Sequence, residues 1–236
     1  QKHLFYDSSL VAYYRLEDTT AQAGGVNLTN NNSVAFDAAK FGNGADGGTS
    51  NTNKNLVETT GSFGITNGAQ TLNCWYKMNV LPSGSPQWTL ADLSYTGTND
   101  SSNNLFFIFN NGGTIELSAY YHNFNSAVHL PLTTSFDTST FHMITGVYTG
   151  DGLSGSLFSG YYDGAFKASS TISGAGTANW STGFSVLSGS TNSGNNFNQL
   201  YSPAVVDDCS IFNRALSASE ISQLYTSRSL DSGISR

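Results

Sequence analysis

The chain has 236 residues, only 11% of them charged, and 9 Lys and Arg against 16 Asp and Glu leave a net charge of -7. A nucleic-acid surface needs a basic stripe and an anionic membrane attracts polybasic segments. Neither is present, so the balance favours a neutral or cationic ligand, or a metal ion. The 12 Tyr and 15 Phe are too many for a disordered chain, and no apolar run reaches the roughly 20 residues of a membrane-spanning helix.

Sparse Leu, Lys and Glu with abundant Ser, Thr, Asn and Gly argue against a helical protein. Short runs rich in β-branched and aromatic residues recur instead between Gly/Asn/Ser clusters, the pattern of a sandwich or barrel. In chain order they are LVAYYRL (10–16), VAFDA, NLVET (55–59), QTLNCWYKM (70–78), QWTLADLSY (87–95), NNLFFIFN (103–110) and TIELSAYYH (114–122). FHMITGVYT (141–149), GSLFSGYYD (155–163), AFKAS, GFSVLSG (183–189) and PAVVDDCSIFN (203–213) complete the set. The segment EDTTAQAGGVNLTNNNS reads as a polar loop. In QTLNCWYKM, Leu72, Cys74 and Tyr76 alternate with Thr71, Asn73 and Trp75. Trp75 and Phe107, both mid-strand, belong in a core.

Asp163-Gly164 between two alternating runs marks a tight hairpin, because both turn residues take positive φ. Asn111, Gly112 and Gly113 mark another turn. Ser217 as N-cap and Glu220 three residues on form a capping box, with Leu216 and Ile221 at the hydrophobic-staple positions. A helix of about two turns follows, with Leu224 and Tyr225 continuing its apolar face. The expectation is an all-β, two-sheet antiparallel sandwich of about twelve to fourteen strands with one short C-terminal helix. It is read as a single domain over 1–236, with its core at about 8–226 and a polar tail at 227–236.

Cys74 and Cys209 both fall in strand-like segments. A disulfide and two buried free thiols are both open readings. The polar, charge-poor composition suits an extracellular, secreted or surface-attached protein. Sequons at Asn27, Asn31, Asn99 and Asn179 are compatible with secretion, but so rich an Asn/Ser/Thr content produces them by chance.

VVDDCSIFNRALSASEISQLY (205–225) resembles the closing segment of LamG-like domains of the concanavalin A-type lectin/glucanase jelly roll. LVAYYRLEDTT resembles their opening strand, KFGNGADGG their Lys-Phe-Gly-Asn turn, GSFGITNGAQTLNCWYKM their aromatic-bearing strand and GYYDGAFKAS their aromatic-x-Asp-Gly hairpin. The landmarks fall in the expected order over nearly the whole chain. The Asn/Ser-rich 96–104 loop and the 189–203 insertion depart from that pattern.

The resemblance implies a structural Ca²⁺ joining the opening strand, the Phe-Gly-Asn turn and the last strand. The matching positions are Glu17 or Asp18, a carbonyl near Gly42 or Asn43, and Asp207. Asp207 and Asp208 are strand neighbours, so they face one ion together only across a bulge. With so few acids, carbonyl oxygens would supply most ligands. The alternative for Asp207 is a solvated carboxylate or one bonded to a loop amide.

Glycosidases of the same fold carry paired carboxylates in a Glu-x-Asp-x-x-Glu pattern. The four Glu here, Glu17, Glu58, Glu116 and Glu220, have no acidic partner at that spacing. Glu116, in TIELSAYY, stands alone. Tyr120, Tyr121 and His122 are adjacent, but lack the Arg and Gln-x-His of a lyase cluster. No nucleophile elbow, phosphate loop or zinc spacing is present. His3, His122, His129 and His142 are scattered, and His142 reads as a packing residue. The expectation is therefore no enzyme.

Sugar recognition uses aromatic faces and amide or hydroxyl hydrogen bonds. Trp88, Tyr95, Tyr121, Phe124 and Trp180 are the candidate aromatics at strand ends or loops, with Trp180 between small polar residues the foremost, although core packing is the better reading for each taken alone. The leading reading is an extracellular, non-catalytic carbohydrate-binding or adhesion module stabilised by Ca²⁺. Its partner would be a glycan or another extracellular polymer, with neighbouring subunits as further partners. It needs no nucleic acid and no membrane insertion. The alternatives are a structural subunit of an appendage, surface layer or virus particle, and a degenerate glycan-cleaving enzyme.

Overall fold

The computed structural model describes residues 7–50, 53–59, 63, 65, 69–81, 87–94, 104–111, 113–121, 126–135, 137–150, 156–171, 183–189 and 200–227. The strands are β1 (Leu10–Tyr14), β2 (Ala21–Gly24), β3 (Thr29–Asn31), β4 (Ala35–Ala38), β5 (Asn43–Asp46), β6 (Asn55–Glu58), β7 (Gln70–Met78) and β8 (Gln87–Ser94). They continue as β9 (Asn104–Asn111), β10 (Thr114–Tyr121), β11 (Ser126–Thr133), β12 (His142–Thr149), β13 (Leu157–Tyr162), β14 (Ala165–Thr171), β15 (Gly183–Val186) and β16 (Ala204–Phe212), followed by helix α1 (Ala218–Thr226).

The strands form two antiparallel sheets. A nine-stranded sheet runs β14-β13-β12-β7-β16-β1-β2, with β5 on β16 and β4 on β5. A seven-stranded sheet runs β11-β10-β9-β8-β15-β6-β3. Two-sheet packing needs one apolar face per strand. β10 supplies it with Ile115, Leu117 and Ala119, all buried in the core between the sheets, while Glu116 and Ser118 take the opposite face.

Every β7 residue except Lys77 is buried, because both of its faces are covered. Leu72, Cys74, Tyr76 and Met78 enter the core between the sheets. Trp75 lies on the outer side, in a second cluster with Met143, Val147, Phe212, Leu216, Ile221 and Leu224 under α1. The capping box forms as expected: Ser217 Oγ accepts the Glu220 amide and Glu220 reaches back to the Ser217 amide. Ile221 and Leu224 turn into the outer cluster, and burying two such side chains contributes roughly 3–6 kcal/mol. The Asp163-Gly164 turn has φ of 51° and 75° and joins β13 to β14 with Tyr162 opposite Ala165.

Four strands exceed the expectation. β2 and β3 lie in the stretch read as a polar loop, and β5 in the stretch read as a turn. They are three or four residues long and carry only small or polar side chains, so backbone pairing with β1, β6 and β16 forms them without a strong apolar signal. β11 carries Pro131, which discourages a strand reading, yet it is an edge strand where a missing N–H is tolerated.

β16 carries the irregularity that organises one end of the nine-stranded sheet. One edge pairs with β7 throughout; the other pairs first with β5, at Val205 and Val206, then with β1, from Cys209 to Phe212. At the changeover the β7 register shifts between Asp207 and Ser210, and Asp208 has φ of 44°. The extra residue reverses the alternation. Ala204 and Val206 face the inner core, and so do Cys209 and Ile211. Cys209 therefore meets Cys74 across the strand pair, and the two form a disulfide.

Arg214 clamps the two ends of the described chain. Its guanidinium donates to both Glu220 oxygens, at 2.6 and 3.0 Å, and to Asp7 and Ser9. Partial burial opposes ionisation of Asp7, but the Arg214 hydrogen bonds outweigh it and lower its pKa from 3.8 to about 2. The same guanidinium lowers Glu220 from 4.5 to about 2.

Two outcomes follow. Replacing both cysteines with Ala reopens a 135-residue loop and should cost about 5 kcal/mol on the chain-entropy account, read from denaturant midpoints. Both Arg214 partners titrate lower folded than unfolded, so their contribution is present above about pH 5 and fades as pH falls toward 2. Arg214→Gln should thus be less stable than wild type by on the order of 1 kcal/mol at pH 7, with the two stabilities converging in acid.

Candidate functional site

The switch of β16 from β5 to β1 leaves a niche roofed by the 40–42 turn, and two of the expected metal ligands meet there. Asp207 is fully buried. Its Oδ2 accepts the Phe41 amide at 2.9 Å, while its Oδ1 is buried with no hydrogen-bond partner. Burial pushes its pKa up to about 6, the Phe41, Asp208 and Lys40 amides pull it down, and nearby Glu17 raises it. Glu17 lies against the turn: a Cβ at Gly42, whose φ is 102°, would overlap Glu17 Oε1. That same oxygen accepts from Arg15 at 2.7 Å.

The bulge brings Asp208 to the neighbouring strand, where its Oδ1 accepts from the buried Tyr13 hydroxyl at 2.8 Å. The other two expected ligands stand differently. Asp18 is exposed and its Oδ1 accepts the Thr20 amide at 2.6 Å, closing a local turn. Asn43 is exposed at the start of β5. Among the described residues no three His, Cys, Asp or Glu side chains group as metal ligands. The niche thus offers two carboxylates, one with an unpartnered buried oxygen, beside turn carbonyls.

The aromatic candidates are less well placed. Trp88 is half-buried and packs against the core between the sheets, so it is not a free platform. Tyr121 ends β10, but its side chain lies outside the described residues, as do Tyr95, Phe124 and Trp180 altogether. Trp75 is a core residue of the outer cluster, as expected; the Phe107 side chain lies outside the described residues.

Two groupings escaped the sequence reading. On the face of the seven-stranded sheet away from the core, Ser118 Oγ lies 2.9 Å from His129 Nδ1, and Glu116 Oε2 lies 3.6 Å from the same nitrogen. Glu116 and Ser118 share a face at i and i+2, which the alternation shows; His129 arrives on β11. Hydroxyl and carboxylate approach one nitrogen, so this is no Ser–His–acid relay, which needs both ring nitrogens. The second grouping is Tyr161, Phe166 and Tyr225, on the outer side of the nine-stranded sheet. Strand pairing brings Tyr161 to Phe166, and the docking of α1 lays Tyr225 over the turn of the same hairpin. His142 has the packing role expected of it: it stacks on Tyr162 at 5.1 Å, with Nδ1 2.8 Å from Asp163 Oδ2.

The fold matches solved structures at low identity. The binding domain of botulinum neurotoxin DC in complex with SialylT aligns with a TM-score of 0.69 at 15% identity, over 95% of this chain and 52% of that one. The botulinum neurotoxin serotype C1 binding domain aligns with a TM-score of 0.70 at 14% identity, over 95% and 53%. The serotype G binding domain aligns with a TM-score of 0.66 at 16% identity, over 92% and 50%. The chain thus spans about half the length of these domains, and at such identity the likeness is one of fold. No curated protein matches the sequence. A family model does, over residues 43–222, from the start of β5 to the helix that covers Trp75. By that match the chain belongs to the concanavalin A-like lectin/glucanase superfamily.

Proposed function

We propose that this domain is an extracellular, non-catalytic carbohydrate-binding module whose chain ends are pinned by a structural Ca²⁺. What carries the reading is membership of a superfamily of lectins and glucanases in a chain whose four Glu have no acidic partner at the Glu-x-Asp-x-x-Glu spacing of glycosidases of this fold. Retaining and inverting glycosidases both need two acids across the scissile bond. The neurotoxin neighbours are binding domains, one in complex with SialylT, which favours binding over cleavage. The Cys74–Cys209 disulfide suits an oxidising, extracellular compartment.

Glu17 and Asp207 would hold the ion, with carbonyls of the 40–43 turn. The fit rests on the Asp207 oxygen that is buried without a partner, a costly arrangement that a hard cation relieves. When bound, Ca²⁺ would neutralise the two adjacent carboxylates and tie the segment after β1 to β16. Asp18, engaged with Thr20, is left outside this set.

Thermal unfolding with excess EGTA and after Ca²⁺ is restored tests the ion. A native-state ligand at one hundred times its Kd stabilises by about 2.7 kcal/mol, so the midpoint should fall by several degrees in EGTA and recover with Ca²⁺. Asp207→Ala should abolish the response; an unchanged midpoint in wild type removes the ion. Binding of the labelled domain to a glycan array tests the carbohydrate reading, and absence of binding to every saccharide would overturn it.

A further inference from the structure

We infer that the carbohydrate site of this module is an aromatic strip on the outer face of the nine-stranded sheet, formed by Tyr161, Phe166 and Tyr225, and that it takes an uncharged polysaccharide. The inference rests on the carbohydrate reading above and names the surface and the class of saccharide.

The strip is assembled by three elements. Tyr161 and Phe166 are cross-strand partners on β13 and β14, with ring centroids 5.6 Å apart at an interplanar angle of 75°. Tyr161 points away from the core, since its neighbours Phe158 and Tyr162 are in it. Tyr225 comes from α1 and packs over the hairpin turn: a Cβ at Gly164 would lie 2.8–3.3 Å from its side chain. Its ring stacks on Trp75 at 5.5 Å and 13°, so the indole backs the strip while remaining buried.

These rings are unusually open. Phe166 is 55% exposed and Tyr225 39%, and Tyr161 is half-buried. No hydrogen bond is made by either phenol hydroxyl among the described residues. Open ring faces beside free hydroxyls are what a pyranose needs: apolar C–H surface for stacking, and donors and acceptors at the rim.

Size and charge select the occupant. The three rings expose on the order of 250 Å², well below the roughly 800 Å² each partner gives to a standard protein interface. That is room for a few sugar rings rather than for a folded partner. The nearest acid, Asp163, is engaged by His142 and by the Met143 amide. The Lys167 ammonium lies over the Tyr162 ring, on the other side of β13 from Tyr161. At the other end, the Lys40 ammonium lies 4.8 Å from the centroid of the Trp75 ring that backs Tyr225. The rings themselves carry no charge and groups of both signs flank them, which favours a neutral chain over a sialylated or uronic one.

Affinity electrophoresis in gels containing hydroxyethylcellulose, mixed-linkage β-glucan, xylan, galactomannan or alginate tests this. Wild type should be retarded by at least one neutral polymer. Phe166→Ala should weaken that retardation at least fivefold, with an unchanged unfolding midpoint. Tyr161→Phe and Tyr225→Phe, which remove only hydroxyls, should each weaken it severalfold. Val26→Ala, which alters an exposed residue beyond β2 at the opposite edge of the sheet, should change nothing. Retardation of wild type that survives all three strip variants, or that appears with alginate alone, overturns the assignment and leaves carbohydrate binding intact. No retardation together with a blank glycan array overturns both.

Discussion

A single inserted residue in the last strand governs how the two ends of the fold meet. Without the extra residue at Asp208, strict alternation would put Cys209 on the outer face of β16, away from Cys74. With it, both cysteines stand on the inner side and close the disulfide, and the carboxylate of Asp208 reaches Tyr13 on β1. The backbone cost is real, since Asp208 adopts a left-handed conformation that disfavours most side chains. The hydrogen bond, the disulfide and the strand pairing on both edges hold it there. Bulges of this kind re-aim side chains where a ladder changes partner, and here the ladder passes from β5 to β1.

The outer layer depends on the same strand pair. Trp75 is opposite Asp207 in the β7–β16 ladder, so the niche and the aromatic cluster are neighbours on one face. Phe41 belongs to both: its amide caps Asp207 and its ring meets Trp75 edge-on at 5.6 Å. The helix is then more than a terminal ornament. Its Ile221 and Leu224 seal the outer cluster, its Glu220 joins Arg214, and its Tyr225 emerges beside the β13–β14 hairpin. Elements at opposite ends of the sequence converge on a surface of which the sheet alone would supply only part.

Much of this was legible before any coordinates. The bounds of β7 match the alternating run 70–78 to the residue, because a long central strand writes its burial into the sequence. The helix was equally plain, since capping box and staple are local signals. β2, β3 and β5 were hidden because strands of three or four residues without a run of large apolar side chains are held by backbone hydrogen bonds, which leave no trace in residue type. The site was read less evenly. Glu17 and Asp207 do come together, whereas Asp18 spends its carboxylate on a turn two residues away, a competition that residue identity does not reveal. Trp88 stands near the start of β8 and packs on the core, the alternative that its sequence context already favoured.

The sequence by itself determined the class of fold, the hairpin at Asp163-Gly164, the helix and the family, because each is encoded by periodicity or by residues a few positions apart. It also showed the poverty of acids that argues against paired-carboxylate catalysis. Tertiary structure alone decided the rest. The disulfide, the bulge that turns Asp207 and Asp208 to use, and the placing of Tyr225 over the hairpin that pairs Tyr161 with Phe166 join residues remote along the chain or depend on strand register. A one-residue shift in register sends every side chain to the opposite face, so which residues share a surface is settled by the pairing of strands and not by any of them alone.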